Sequence, residues 1–568
     1  LTRLLMRACM VSLSMVLVLP SVMWAKPSPQ DSDSMEKPER KVSALSRDFT
    51  SPPADPWDPP RPSSPVLRNA PPQAAGMHPE PLRSLDESVR EAVRANMTPG
   101  AVVLIARRGN IVKHEAYGHA VRYADDRFLP HPTPVPMRKD TIFDLASVTK
   151  IFTAVAVMQL VEQKKVALED PVAKHIPEFA QNGKERVTIR QLLTHTSGFR
   201  PSLPLDRMGT GREDRLQIVF AAPLDHPPGT TYVYSDLNMI VLGALVERVS
   251  GKRLDAWIAE HITKPLGMRD TRFNPPEQWK PRIAATEFQP WTSRDLVWGQ
   301  VHDEKAWALD GVAGHAGLFS SARDLAVFAH TLLMKGRYGS VRILKEETVE
   351  LMERNFNSAF PGDDHGLGWE LNQGWYMDAL SSSGTMGHTG FTGTSLVVSR
   401  DLQTIVITLT NRVHPTRNTP SINPVRRETA RMAADAILVS IPGRGSAWFS
   451  GYGDLLDRHL VAELPPGARS LTFHTWYRIE ENMDHGWVEA SADGRVWTPL
   501  HAGYTGASDW NRQVLLLPKN ARFVRFRYVT DLSVNGRGWY VKDPVITLKN
   551  GKSLPLNPSG DGWQRRDR

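Results

Sequence analysis

The run Ile151-Phe-Thr-Ala-Val-Ala-Val-Met-Gln-Leu-Val161 is apolar almost all round a helical wheel. Such a helix has no face to give to water and must lie buried inside a sizeable core. The preceding Thr141-Ile-Phe-Asp-Leu-Ala146 has the pattern of a short strand and turn, and Ser147-Val-Thr-Lys150 stands at the join. Residues three apart on a helix share a face, so the Lys150 amine can reach the Ser147 hydroxyl. Ser147 falls at the helix N-terminus, where free backbone N–H groups can hold a developing oxyanion. Loss of hydration lowers a lysine pKa, which suits Lys150 to act as base for a serine nucleophile. Ser34-Met-Glu-Lys37 repeats the spacing in a segment that looks unfolded, so context rather than the four letters singles out Ser147.

A chain of 568 residues has room for several domains. Its formal charge of +8 favours anionic surfaces such as cell wall, and no nucleic-acid motif accompanies it, so no nucleic-acid partner is expected. Residues 1–25 carry Arg3 and Arg7, an apolar run and then Ala25, the pattern of a secretory signal peptide. That pattern places the mature protein across the inner membrane, periplasmic or extracellular, with no membrane span left after cleavage. The single cysteine, Cys9, lies inside this segment, so disulfides and thiol chemistry are not expected. Residues 26–75 are rich in Pro, Ser, Asp and Arg and read as a disordered linker.

From residue 76 the periodicity changes. Leu82–Ala95 is patterned as an amphipathic helix, Pro99–Asn110 and Ile111–Tyr117 as a hairpin, and Leu237–Val249 as a helix. Strand-like runs at Thr394–Ser399 and Thr404–Thr410 precede a closing helix over Arg426–Val439. Strands and helices at both ends with helices between predict an α/β (α+β) fold, one sheet flanked by helices plus an all-helical lobe, spanning 76–440. Period-two runs after residue 446, separated by turns such as Asp493-Gly494, predict a separate all-β sandwich over 446–550 and leave 551–568 as a basic tail.

Two further motifs follow Ser147. Tyr234-Ser-Asp236 stands just before the Leu237 helix, where a tyrosine can shuttle protons between serine and leaving group. His388-Thr-Gly390, with Gly384, Gly387 and Gly393 around it, precedes a strand. Glycines let a substrate lie along a strand edge, and the Phe391 N–H can then serve as second oxyanion donor. Together and in this order the motifs resemble the serine β-lactamase and penicillin-binding superfamily, especially its class C-like branch. Leu192-Leu-Thr-His-Thr-Ser-Gly198, Pro265-Leu-Gly-Met268 and Gly311–Ser320 are similar to that family too, and Val301-His-Asp-Glu-Lys-Ala306 resembles its penicillin-binding protein 4B-like D,D-carboxypeptidases. The resemblance implies a β-lactamase-like antiparallel sheet, Ser147 as nucleophile, Lys150 as base and Tyr234 as proton shuttle. It implies substrate contacts from Asp236, His388, Thr389, Gly390 and Phe391, with no cofactor and no metal.

Two positions depart from the family pattern. Asp236 replaces the usual Asn, and a carboxylate there should raise the Lys150 pKa, keep it an ammonium and shift the base role to a Tyr234 phenolate. His388 replaces the lysine of β-lactamases, which tilts the expectation toward peptidase or esterase and predicts activity varying between about pH 5.5 and 7.5. Among weaker candidates, His195 reads as structural, and His302, Asp303 and Glu304 are adjacent, so their side chains should diverge rather than share a metal. His315, in a Gly-rich loop, can line the cleft but has no role assigned by sequence.

The C-terminal segment resembles the sandwich appended to immune-inhibitor-A-type secreted peptidases, through Phe523–Thr530 and Val534–Val541. Trp476, Trp487, Trp497 and Trp539 read as sandwich core, with sugar stacking as the alternative. The expected activity is that of an exported serine hydrolase forming an acyl-enzyme on a cell-wall peptide ending in D-alanine. A class C-like esterase or β-lactamase is the alternative. An inactive protein that binds cell wall (peptidoglycan) is the reading from another class.

Overall fold

The computed structural model describes residues 66–567 except Ser533. The expected signal segment and residues 26–65 of the Pro-rich tract lie outside them. The rest of that tract is folded, contrary to expectation. Arg68–Asn69 is a strand parallel to Asn110–Tyr123, and Pro72–Ala75 forms a 3-10 turn. Leu67, Ala75 and Met77 are buried there, anchors that the average composition of the tract conceals.

The main sheet has eight strands. Their order is Arg68–Asn69, Asn110–Tyr123, Gly100–Arg107, Thr404–Thr410, Ser395–Ser399, Thr385–Thr389 and Glu370–Leu371, with Pro130–Pro136 paired to Asn110–Tyr123. The ends of the chain segment thus meet in mid-sheet, where Thr404–Thr410 pairs antiparallel with Gly100–Arg107. Side chains of a strand alternate between faces, and here both faces are covered. Val102, Leu104 and Ala106 point into the core shared with the helical lobe, while Ala101, Val103 and Ile105 point into a second core. Helices Pro79–Arg94 and Asn423–Ala436 pack together over that second core. The first of these starts three residues earlier than its apolar pattern suggests. Proline is tolerated in a first helical turn, and His78 Nδ1 accepts the Glu80 N–H at 3.3 Å.

On the opposite face, Thr149–Glu162 is the central helix, buried from Thr149 to Leu160. It packs against Asp236–Ser250 and Leu254–Ile258 of the helical lobe. A small sheet of Ile142–Asp144, Leu318–Ser321 and Arg272–Phe273 delivers the chain to its N-terminus.

The C-terminal region is two facing sheets. One has six strands built around Ala468–Arg478 and Gly538–Leu548; the other has four, around His485–Ser491 and Phe523–Val529. Their inner residues, including Phe473, Trp539, Val488 and Phe526, form one core. Trp539 and Trp476 are buried, Trp487 stacks on His485, and the Arg525 guanidinium lies over Trp497. Residues 551–568, expected as a tail, instead contribute strands. Ser553–Pro555 pairs with Gly538–Leu548, and Gln564–Arg566 pairs with Ala447–Phe449. The Arg-rich composition hid this because the Arg565 and Arg566 guanidinium groups lie over the Trp448 and Phe449 rings. The sandwich joins the rest of the molecule at the helix Asn423–Ala436, where Arg431 donates to the Gly536 carbonyl at 2.5 Å and to that of Asn535.

Candidate active site

Ser147 sits in the middle of a single 3-10 turn, Ala146–Val148, that runs directly into the central helix. The turn is held from below. Asp144, fully buried, accepts the Ala146 N–H at 2.8 Å and the His302 N–H at 2.6 Å. Thr392 and Thr394 donate hydroxyls to the carbonyls of Asp144 and Leu145 at 2.8 and 2.9 Å. Ala146 has φ of 47°, in the left-handed region that a non-glycine residue rarely enters.

Lys150 lies one turn on, buried, with its Nζ 2.8 Å from Ser147 Oγ and 3.2 Å from the His315 carbonyl. Its third partner is Asp236, at 2.9 Å from Oδ1. Lys305 reaches the other oxygen of the same carboxylate at 3.2 Å and also Asp303 at 2.9 Å. His315 Nε2 meets Asp303 Oδ1 at 2.8 Å. The result is an alternating chain of charges, Lys150, Asp236, Lys305, Asp303, ending on His315. Burial pushes the Lys150 ammonium down, Asp236 pulls it back up, and burial wins. The expected upward shift is therefore corrected: Asp236 is shared between two ammonium groups, so its hold on either one is divided. Burial also pushes the Asp236 carboxyl up, but Lys150, His315 and Lys305 outweigh it and keep it well below the usual range. Asp236, Asp303 and His315 offer donor atoms within 4.8 Å of one another, a spacing a metal ion could use. Both oxygens of Asp236 already face ammonium groups, so the charge a cation would supply is present.

Tyr234 completes the cluster. Its ring lies 4.8 Å from Lys150 Nζ and 5.9 Å from the His388 ring. Burial, with Asp236 repulsion added, raises its phenol well above the ordinary value, and the hydrogen bond with Ser147 only partly opposes this. A phenolate base is thus disfavoured, a second correction to the sequence expectation. His195 is structural as expected. Its Nδ1 accepts from the Ser235 N–H at 3.1 Å and lies 3.0 Å from Asn238 Nδ2, and its ring packs 4.7 Å from that of Tyr234.

The third wall is the strand Thr385–Thr389. Glu370–Leu371 pairs with its outer edge at Gly387 and Met386, so among the described residues that edge has no strand partner from His388 onward. Gly390 brings the strand end against the serine turn: a Cβ there would lie 2.4 Å from the Leu145 carbonyl oxygen and 2.1 Å from Thr394 Oγ1. Arg426, buried and missed by sequence reasoning, donates to the Gly390 carbonyl at 2.7 Å and to that of Thr394 at 2.9 Å. The Gly390 N–H is spent on the Thr394 carbonyl at 2.8 Å. Phe391 follows at the rim with its side chain 51% exposed. His388 is buried, its Nδ1–H donates to the Thr389 carbonyl at 2.8 Å, and its Nε2 has no hydrogen-bond partner among the described residues. Burial and the nearby Lys150 ammonium lower its pKa to about 3. The predicted titration near neutrality is therefore absent from this residue; a buried imidazole beside a cation stays neutral.

His302, Asp303 and Glu304 diverge as expected, toward Glu287, Lys305 with His315, and Arg417 respectively. Lys305 carried one sequence signal, its place in the Val301–Ala306 phrase. Arg426 carried none.

Residues 85–431 match the family model described as Beta-lactamase. A protein of Salmonella agona named "Putative D-alanyl-D-alanine carboxypeptidase" is 34% identical over 392 residues, covering 63% of this chain and 89% of that protein. The protein of the same name from Salmonella typhi aligns with the same identity and coverage. Among solved structures, EstCE1, described as a hydrolase with promiscuous acyltransferase activity, is 26% identical with a TM-score of 0.49, covering 63% of this chain and 99% of that one. A penicillin-binding protein homologue from Caulobacter crescentus is 20% identical with a TM-score of 0.49, over 64% and 99% of the two chains. The chain belongs to the Beta-lactamase family and is, by that membership, an enzyme of the serine hydrolase class.

Proposed function

We propose that the protein is an exported D,D-carboxypeptidase or D-amino-acid peptidase of cell-wall peptides, of the class C-like branch, with the C-terminal sandwich as an accessory module. In this reading Ser147 attacks the scissile carbonyl while Lys150, in the unprotonated form that burial favours, takes its proton. Neutral Tyr234 relays that proton to the departing amine. The N–H groups of Ser147 and Phe391 hold the oxyanion, and water then cleaves the acyl-enzyme and restores the serine. The observation that carries the reading is the Lys150 Nζ at 2.8 Å from Ser147 Oγ, in a site where burial lowers the lysine pKa. The His388 Nε2 lone pair adds to it. A buried acceptor at the open strand edge suits a substrate N–H, which a peptide has and a simple ester lacks. The name of the Salmonella relative favours a D-alanyl-D-alanine terminus for that peptide.

Intact-mass measurement after exposure to a penicillin or a fluorophosphonate tests the chemistry. A covalent adduct is expected in the natural chain and absent in Ser147→Ala; no adduct with either reagent would favour an inactive wall binder. A hydrolysis screen of D,D-peptides, p-nitrophenyl esters and nitrocefin tests the substrate class. Turnover of esters with no turnover of any D,D-peptide would overturn the peptidase assignment.

A further inference from the structure

We propose that the sandwich binds a divalent cation of the calcium type between Glu480, Asp484 and Asp531. The three residues come from two loops at one end of the paired strands His485–Ser491 and Phe523–Val529, and their carboxylate oxygens lie within 4.8 Å of one another. Asp484 is fully buried, and its Oδ2 has no hydrogen-bond partner among the described residues. Glu480 Oε2 is in the same condition. Asp484 Oδ1 accepts the Asp531 N–H at 3.1 Å, which draws the two residues together.

Arg427 faces Glu480, but its Nε is bound to Asp378 at 3.0 Å. Asp454, a fourth carboxylate nearby, adds to the repulsion. Buried carboxylates are ordinarily paired or coordinate a metal. The donor set is oxygen alone, without histidine or cysteine, which selects a hard cation over zinc or copper. Three carboxylates on irregular loops suit the variable coordination of Ca²⁺ better than the strict octahedron of Mg²⁺. The site also borders the junction with the hydrolase part, because the Asp531 loop runs on to the Asn535 and Gly536 carbonyls that Arg431 grips.

The test uses the full chain stripped with a chelator, titrated with CaCl₂ or MgCl₂ by calorimetry, and melted in parallel. One Ca²⁺ should bind per chain and raise the melting temperature of the sandwich by roughly 5 °C at saturation, with Mg²⁺ binding at least about tenfold more weakly. Asp484→Asn keeps the shape and removes the charge, so its metal-free form should melt no lower than the natural chain while its calcium response is lost. Glu480→Gln serves the same purpose should that variant not fold. No binding up to about 5 mM Ca²⁺, beyond the range of extracellular calcium modules, would overturn the proposal. So would a response retained in these variants, or a preference for Mg²⁺.

Discussion

Lys150 and Lys305 divide one carboxylate between them, and the consequence is measurable. Removing Lys305 as Lys305→Met leaves Asp236 to Lys150 alone, so Lys150 should hold its proton more tightly. The acidic limb of kcat/KM should then move up by about one pH unit, with activity at pH 7 down about tenfold and recovered at higher pH. Asp236→Asn should move the same limb down. A limb that stays in place in both variants would separate Lys150 from proton transfer. His388 behaves differently: with a pKa near 3 it carries no charge at neutral pH, so His388→Asn should leave the profile between about pH 5 and 8 unchanged in shape. The sequence pointed to Ser147 and Lys150 through their spacing at the start of a buried helix, and to Tyr234 through its motif and the family resemblance. It could not carry the Lys305 and Asp303 partnership, since nothing in linear spacing records which distant loops fold over one carboxylate. Nor could it carry the His388 shift, because burial of a single ring depends on the strand edges around it.

At the level of single elements, the strand Thr385–Thr389 and the serine turn must approach more closely than a methyl group allows. Gly390→Ala would place a Cβ 2.1 Å from Thr394 Oγ1 and 2.4 Å from the Leu145 carbonyl oxygen. The strand end must then retreat from Ser147. A misplacement of about 1 Å in a catalytic wall costs on the order of 10²-fold in rate, so kcat/KM should fall by about that factor, with a melting temperature only a few degrees lower. An active Gly390→Ala enzyme would show that the two elements do not form one site. The alternation of strands Gly100–Arg107 and Thr404–Thr410 was visible in sequence as near-continuous apolar runs, as two covered faces require. The folded residues 66–75 and the final strands were not, because each is a short strand or turn whose order comes from partners far along the chain.

Across the whole molecule, buried neutral histidines set a response to acid. His414 donates Nδ1–H to the Thr286 carbonyl at 2.9 Å, and its Nε2 accepts the N–H groups of Arg122 and Tyr123 at 3.0 Å each. Burial lowers its pKa to about 4, so between pH of about 6.5 and about 4 the unfolded chain binds a proton that the folded chain refuses. Its contribution to stability is present above that window and is lost as pH falls through it, by up to ~1.4 kcal/mol per pH unit. The melting temperature of the hydrolase part should therefore drop with acid more steeply in the natural chain than in His414→Gln. Equal slopes would remove this histidine from the account.

A last consequence belongs to Ala146. Its backbone holds a conformation that glycine enters without cost and alanine enters only against a penalty of roughly 1 kcal/mol. Pressure for heat resistance alone would put glycine there. The methyl group faces Gly390, whose own Cβ would lie 3.3 Å away, so the alanine fills the room that the missing side chain opposite leaves open. Ala146→Gly should therefore melt no lower than the natural chain yet turn over more slowly, trading a rigid neighbour of Ser147 for a relaxed one.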